Sequence, residues 1–163
     1  MIGTTRKVFD IQPISAVQPS NGSLAITFQS GLVTWLPPNH PDREMILQEA
    51  EWSRQQHRPV GVMADEQGRL LELSHVYDTC VDSVREDEED KSRLAVWCWD
   101  FSPACYLTRA HPDFDRIRAT LEQAAASGGR VWLANRMRMV EGETEVWWQI
   151  LDVRPVAAAP SGA

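Results

Sequence analysis

The heptapeptide Leu36-Pro37-Pro38-Asn39-His40-Pro41-Asp42 returns 71 positions later as Leu107-Thr108-Arg109-Ala110-His111-Pro112-Asp113. At the same offset Ile46 meets Ile117, Glu51 meets Glu122, Val60 meets Val131 and Val62 meets Leu133. Upstream, Leu24-Ala25-Ile26 matches Leu94-Ala95-Val96 after a one-residue adjustment, and Val8-Phe9-Asp10 matches Val76-Tyr77-Asp78. Downstream, residues 73–76 match residues 150–153 at an offset of 77, which adds six residues to the last turn of the second copy. Self-similarity of this extent constrains the fold more than any single motif, because both copies must satisfy one element order. The 163 residues are thus read as two copies of a unit of about 70 residues, 1–77 and 78–155, with a disordered tail at 156–163.

Each copy carries the same local signals. Residues 8–17 are β-rich but broken by Pro13, and residues 24–28 and 32–36 flank a Gln29-Ser30-Gly31 turn, which predicts a hairpin. His40-Pro41-Asp42 then opens a helix, since proline loses nothing in a first helical turn and Asp42 and Glu44 complement the positive end of its dipole. Ile46, Ala50 and Ser53 line one side, and Pro59 ends the helix. Residues 60–64 and 70–76 form a second hairpin. The second copy repeats this with Phe114, Ile117, Leu121 and Ala124 on its helix, Gly128-Gly129 as terminator, and strands at 131–139 and 145–153.

The expected class is α+β, mainly antiparallel β: two tandem β-β-β-α-β-β copies. Three strands, a helix and two strands is the element order of an OB-type small barrel, in which a helix plugs one end. Residues 70–84 contain no Gly or Pro, so the two copies could also share one fused sheet.

The formal net charge of −7 is concentrated. Residues 1–75 hold six basic and eight acidic groups, residues 76–91 hold two and seven, and the remainder holds eight of each. Glu86-Asp87-Glu88-Glu89-Asp90 therefore reads as an exposed acidic loop within 85–91. Cys80, Cys98 and Cys105 form an odd set without CxxC spacing and read as small buried hydrophobes. The amino terminus has no apolar signal core, the longest apolar stretch is far too short for a membrane span, and the expected location is cytoplasmic.

Seven tryptophans are the other unusual quantity. In residues 94–101 alternation puts Leu94, Val96 and Cys98 on one face and Trp97, Trp99 and Phe101 on the other, so both faces are apolar and the strand is expected to be covered on both sides. Trp147 and Trp148 must point to opposite faces, which takes at least one of them away from its own core. Alternation in Arg136-Met137-Arg138-Met139 puts both arginines on one face, near Trp132, Trp147 and Trp148.

No phosphate-cradling glycine motif, nucleophile elbow or cofactor pattern occurs, and no cofactor is expected. Cys105, His111 and Asp113 are the nearest approach to a nucleophilic triad, and a metal site would need His75, Cys80, Cys98 and His111 to meet by tertiary coincidence. The tripeptide His-Pro-Asp resembles the loop motif of J-domain co-chaperones. That family sets the loop between two long helices, whereas a hairpin precedes it here, so the motif is read as a helix-starting device. What remains is a binding surface on the second copy built from Trp97, Trp99, Trp132, Arg136, Arg138, Trp147 and Trp148. Tryptophan and arginine dominate protein interfaces, so a non-enzymatic interaction or adaptor role toward a protein partner or a second copy leads. A single-stranded nucleic-acid binder is the alternative, disfavoured by the acidity, and a small-molecule-binding barrel or enzyme follows.

Overall fold

The structure, a computed structural model, describes residues 8–101, 104–139 and 146–156. The expected tail beyond 156 and the start of the expected 145–153 strand lie outside the described residues. The fold is α+β and mostly antiparallel β, and the chain divides into two compact units, Met1–Val76 and Tyr77–Ala163.

In the first unit Pro13 divides the opening strand, since it has no N–H for a ladder. β1 (Val8–Gln12) pairs with β5 (Val60–Ala64), which pairs with β6 (Leu70–Ser74). β2 (Ile14–Ser20) pairs with β3 (Ser23–Phe28), and β3 with β4 (Val33–Leu36). A parallel bridge from Trp35 to Arg69 joins the β4 side to the start of β6. The β2–β3 hairpin turns on Asn21-Gly22, both at positive φ (47° and 80°), the pattern of a type I′ turn. Helix α1 (Arg43–Gln56) buries Ile46, Ala50 and Ser53, and a core forms around Ile26, Phe28, Leu36, Val60, Val62 and Leu70. The helix stops before Pro59, at His57, which takes the left-handed conformation usual at C-caps.

The second unit is a single five-stranded sheet closed into a ring in the order β10-β11-β9-β8-β7. Its strands are β7 (Val76–Glu86), β8 (Arg93–Cys98), β9 (Cys105–Thr108), β10 (Arg130–Met139) and β11 (Val146–Pro155). β9 and β11 run parallel, with Cys105 opposite Trp148 and Tyr106 opposite Gln149. Helix α2 (Phe114–Ser127) ends at Gly128 in the left-handed region and buries Ile117, Leu121 and Ala124 among Leu94, Val96, Leu107, Leu133 and Ile150. The fused-sheet alternative is not found: β6 pairs with β5 and β7 with β8, in different sheets, because the chain breaks at His75 between them.

Both His-Pro-Asp motifs make the same two bonds. The Asp42 N–H donates to His40 Nδ1 (3.0 Å) and His40 Nε2 lies 3.1 Å from the Leu71 carbonyl oxygen. The Asp113 N–H donates to His111 Nδ1 (2.9 Å) and His111 Nε2 lies 2.7 Å from the Leu151 carbonyl oxygen. Because Nδ1 accepts, Nε2 carries the hydrogen and donates, which defines a neutral tautomer. Asp, not His, is the N-cap residue, and its side chain makes no capping bond. The histidine is therefore a clamp between the helix start and the closing strand rather than a cap.

Leu71 and Leu151 are the extra residues of two β-bulges: Met63–Glu72 is followed by Ala64–Leu70, and Ala134–Asp152 by Asn135–Ile150. The bulges and clamps of β6 and β11 correspond at an offset of 80, and the stretch that each bulge encloses, 64–70 in the first unit and 135–150 in the second, is nine residues longer in the second. A second pair of bulges, at Ser15 and Asp82, falls where Phe28 and Thr27 on one side and Cys98 and Trp97 on the other continue the ladder. Replacing His40 or His111 by Ala removes one partly buried and one exposed bond to backbone and is expected to cost about 1 kcal/mol at either site. Urea midpoints of the two variants check this; a loss at one histidine and none at the other would contradict an equivalent role.

Candidate interaction surface

Strand alternation builds the outer face of the second unit. On β8, Leu94, Val96 and Cys98 enter the core, which leaves Arg93, Ala95 and Trp97 outside. Across β9 the outward residues are Tyr106 and Thr108, and across β11 they include Trp147 and Gln149. Register opposes Arg136 to Gln149 and Arg138 to Trp147, so both arginines share this face. Arg138 Nη1 donates to Gln149 Oε1 (3.1 Å).

The face carries a stack of Arg93, Tyr106 and Trp147 that no local sequence pattern marks. The Arg93 guanidinium lies 4.0 Å from the Tyr106 ring centroid and 4.9 Å from that of Trp147, and the two rings meet edge to face at 5.9 Å. Arg93 Nε donates to Asp87 at 2.6 Å. That bond holds the Asp87 carboxyl below its usual range, against the opposing effect of burial. The acidic run is exposed as expected except at Asp87, while three of its side chains have partners. Asp87 is 11% exposed, Glu86 pairs with Arg109 (3.0 Å), and Asp90 accepts the Ser92 hydroxyl (2.6 Å) and N–H (2.9 Å), which lower its pKa; Glu88 and Glu89 stay in solvent.

The seven expected surface residues do not form one patch. Trp148 packs against the core, and Met137 and Met139 on its side of β10 are exposed. Trp147 is the outward indole of the pair. Trp132 is half-buried opposite Arg154. Within the single chain Trp97 and Trp99 are 43% and 76% exposed. β8 ends at Cys98: Trp99 lies in the following turn, its N–H donating to the Cys80 carbonyl (3.0 Å), while Phe101 folds back on the core and meets Tyr77 edge-on.

The candidate nucleophile is enclosed. Cys105 is buried, Asn135 Nδ2 lies 3.6 Å from its sulfur, and burial raises its pKa. Burial likewise pushes the Cys98 thiol up to about 12. Cys80 is half-buried beside Arg130. Both His111 nitrogens are held by backbone, so His111 does not serve Cys105 as a base. Among the described residues no three His, Cys, Asp or Glu side chains converge as a metal site, and no helix is long and apolar enough to cross a membrane. Compared with protein-family models, curated proteins and solved structures, the chain matches none.

Proposed function

We propose that the chain is a tandem duplication of an OB-like barrel and acts as a non-enzymatic interaction module, its second copy binding a protein partner or another copy of itself. The duplication is supported by four coincidences of geometry: the histidine clamps, the two pairs of bulges, the helix between third and fourth strands, and the parallel link between third and fifth. The last two, with the ring order of the second unit, suit an OB-type barrel.

The observation that carries the interaction reading is the exposure of Trp97 and Trp99 on a unit several of whose arginines are already paired with carboxylates. Arg93 is paired with Asp87, Arg109 with Glu86, Arg116 with Asp152 and Arg130 with Asp78. Guanidinium groups matched inside the unit contribute little to a phosphate-tracking groove, and the net charge opposes a polyanion further. Large exposed indoles beside neutralised arginines suit a polypeptide. A photo-cross-linking residue at position 99 is expected to form an adduct with a polypeptide, while the same residue at exposed Met45 does not. Adducts with nucleic acid alone, or equal yields at the two positions, would overturn the proposal.

A further inference from the structure

The end of β8 that exposes Trp97 and leads into Trp99 also gathers carboxylates. Val81 pairs with Cys98, and one step further the Trp99 N–H reaches the Cys80 carbonyl, so Trp99 lies across from Cys80. Trp97 lies opposite Ser83, with Asp82 as the extra, exposed residue of the bulge between the two pairs. Asp100 follows Trp99 and is exposed, and Asp78 stands two residues before Cys80.

Among the described residues, Arg130 is the cation paired with one of these three carboxylates. Its Nε is 2.5 Å from Asp78 Oδ1, its Nη2 2.9 Å from the Asp78 carbonyl oxygen and its Nη1 3.4 Å from the Cys80 sulfur, which commits it to Asp78. Asp82 and Asp100 make no ion pair among the described residues. The next cation along the face, Arg85, sits opposite Ala95, beyond Ser83 from the bulge.

We propose that this corner receives a lysine or arginine side chain from a basic segment of a partner polypeptide, with Trp97 and Trp99 as its aromatic platform and Asp82 and Asp100 as its counter-charges. The inference rests on the reading of this face as a protein contact and gives that partner its chemistry. An indole face attracts a cation through its quadrupole, most strongly where water is excluded. A neutral apolar partner would desolvate two carboxylates without compensation, and a nucleic acid would meet like charge. The acidic run at the other end of β8 offers charge without an exposed indole, so it serves as an internal control.

The test is an NMR titration of the full chain with an octa-arginine peptide, with indole N–H signals assigned through Trp97→Phe and Trp99→Phe. The signals of Trp97 and Trp99 are expected to shift saturably. Apparent affinity should fall roughly tenfold in Trp99→Ala and in the Asp82→Asn/Asp100→Asn double variant, and hold in Glu88→Gln/Glu89→Gln. All these positions are exposed, and circular dichroism confirms that each variant folds. Shifts confined to residues 86–90, or full affinity in the double aspartate variant, would overturn the inference. If the peptide leaves the corner unmoved while position 99 still cross-links to polypeptide, the cationic partner is wrong and the protein contact stands. If a twelve-residue oligothymidylate shifts the same two indoles instead, the protein-contact reading itself fails.

Discussion

Leu121→Ala is expected to lower the stability of the second unit by about 3–4 kcal/mol, the largest effect of any substitution considered. Leu121 is fully buried on the face of α2 that also carries Ile117 and Ala124. Truncation removes transfer free energy and leaves a cavity that strands joined into a closed ring cannot collapse to fill, since each is held by two neighbours. The urea midpoint should fall with little change in slope. A loss below about 1 kcal/mol would mean that the helix does not plug the ring.

Asp152→Ala comes next, at about 2–3 kcal/mol. The Asp152 side chain is 2% exposed, and its carboxylate accepts from Arg116 Nη2 (2.5 Å) and the Val153 N–H (2.9 Å), with Arg154 Nε at 3.3 Å. Arg116 also donates to the Val153 carbonyl (3.1 Å), so the cluster ties the first turn of α2 to β11. Burial works against the Arg116 charge, but Asp152 and Asp113 outweigh it and raise its pKa. Breaking a fully buried pair costs more; here both arginines are about a third exposed, and water recovers part of the loss. Denaturant unfolding of Asp152→Ala, Arg116→Ala and the double variant would measure the coupling, expected at about 1–2 kcal/mol. Strict additivity would contradict the cluster.

What the sequence discloses and what it hides follow from physics at particular residues. Ile46, Ala50 and Ser53, and Ile117, Leu121 and Ala124, are legible as buried helix faces because 3.6-residue periodicity needs no knowledge of partners. The β2–β3 hairpin has a strong local signal, Asn21-Gly22, that a search centred on apolar runs passes over. The offset of 80 is not legible. Apolar residues in strands match at several registers, and a bulge at Leu71 or Leu151 adds a residue that composition does not mark. The outward turn of Trp147 and the inward turn of Trp148 follow from alternation once one is buried. The Arg93–Tyr106–Trp147 stack is different in kind, since it joins three strands and the hairpin residue Asp87, and only the lateral pairing of β8, β9 and β11 brings them together. For the same reason Glu86, Asp87 and Asp90 look like a solvated run in sequence although each has a partner in space.

On the proposed function, the exposed indoles of Trp97 and Trp99 meet polypeptide and not nucleic acid. Fluorescence anisotropy of a labelled twenty-residue oligothymidylate at about 50 mM salt tests it most directly, because low salt favours every phosphate contact the surface can make. No saturable binding is expected up to about 100 μM protein, far above the range of a functional single-strand platform. A Kd below about 10 μM that weakens steeply with salt and disappears in Trp97→Ala/Trp99→Ala would contradict the account.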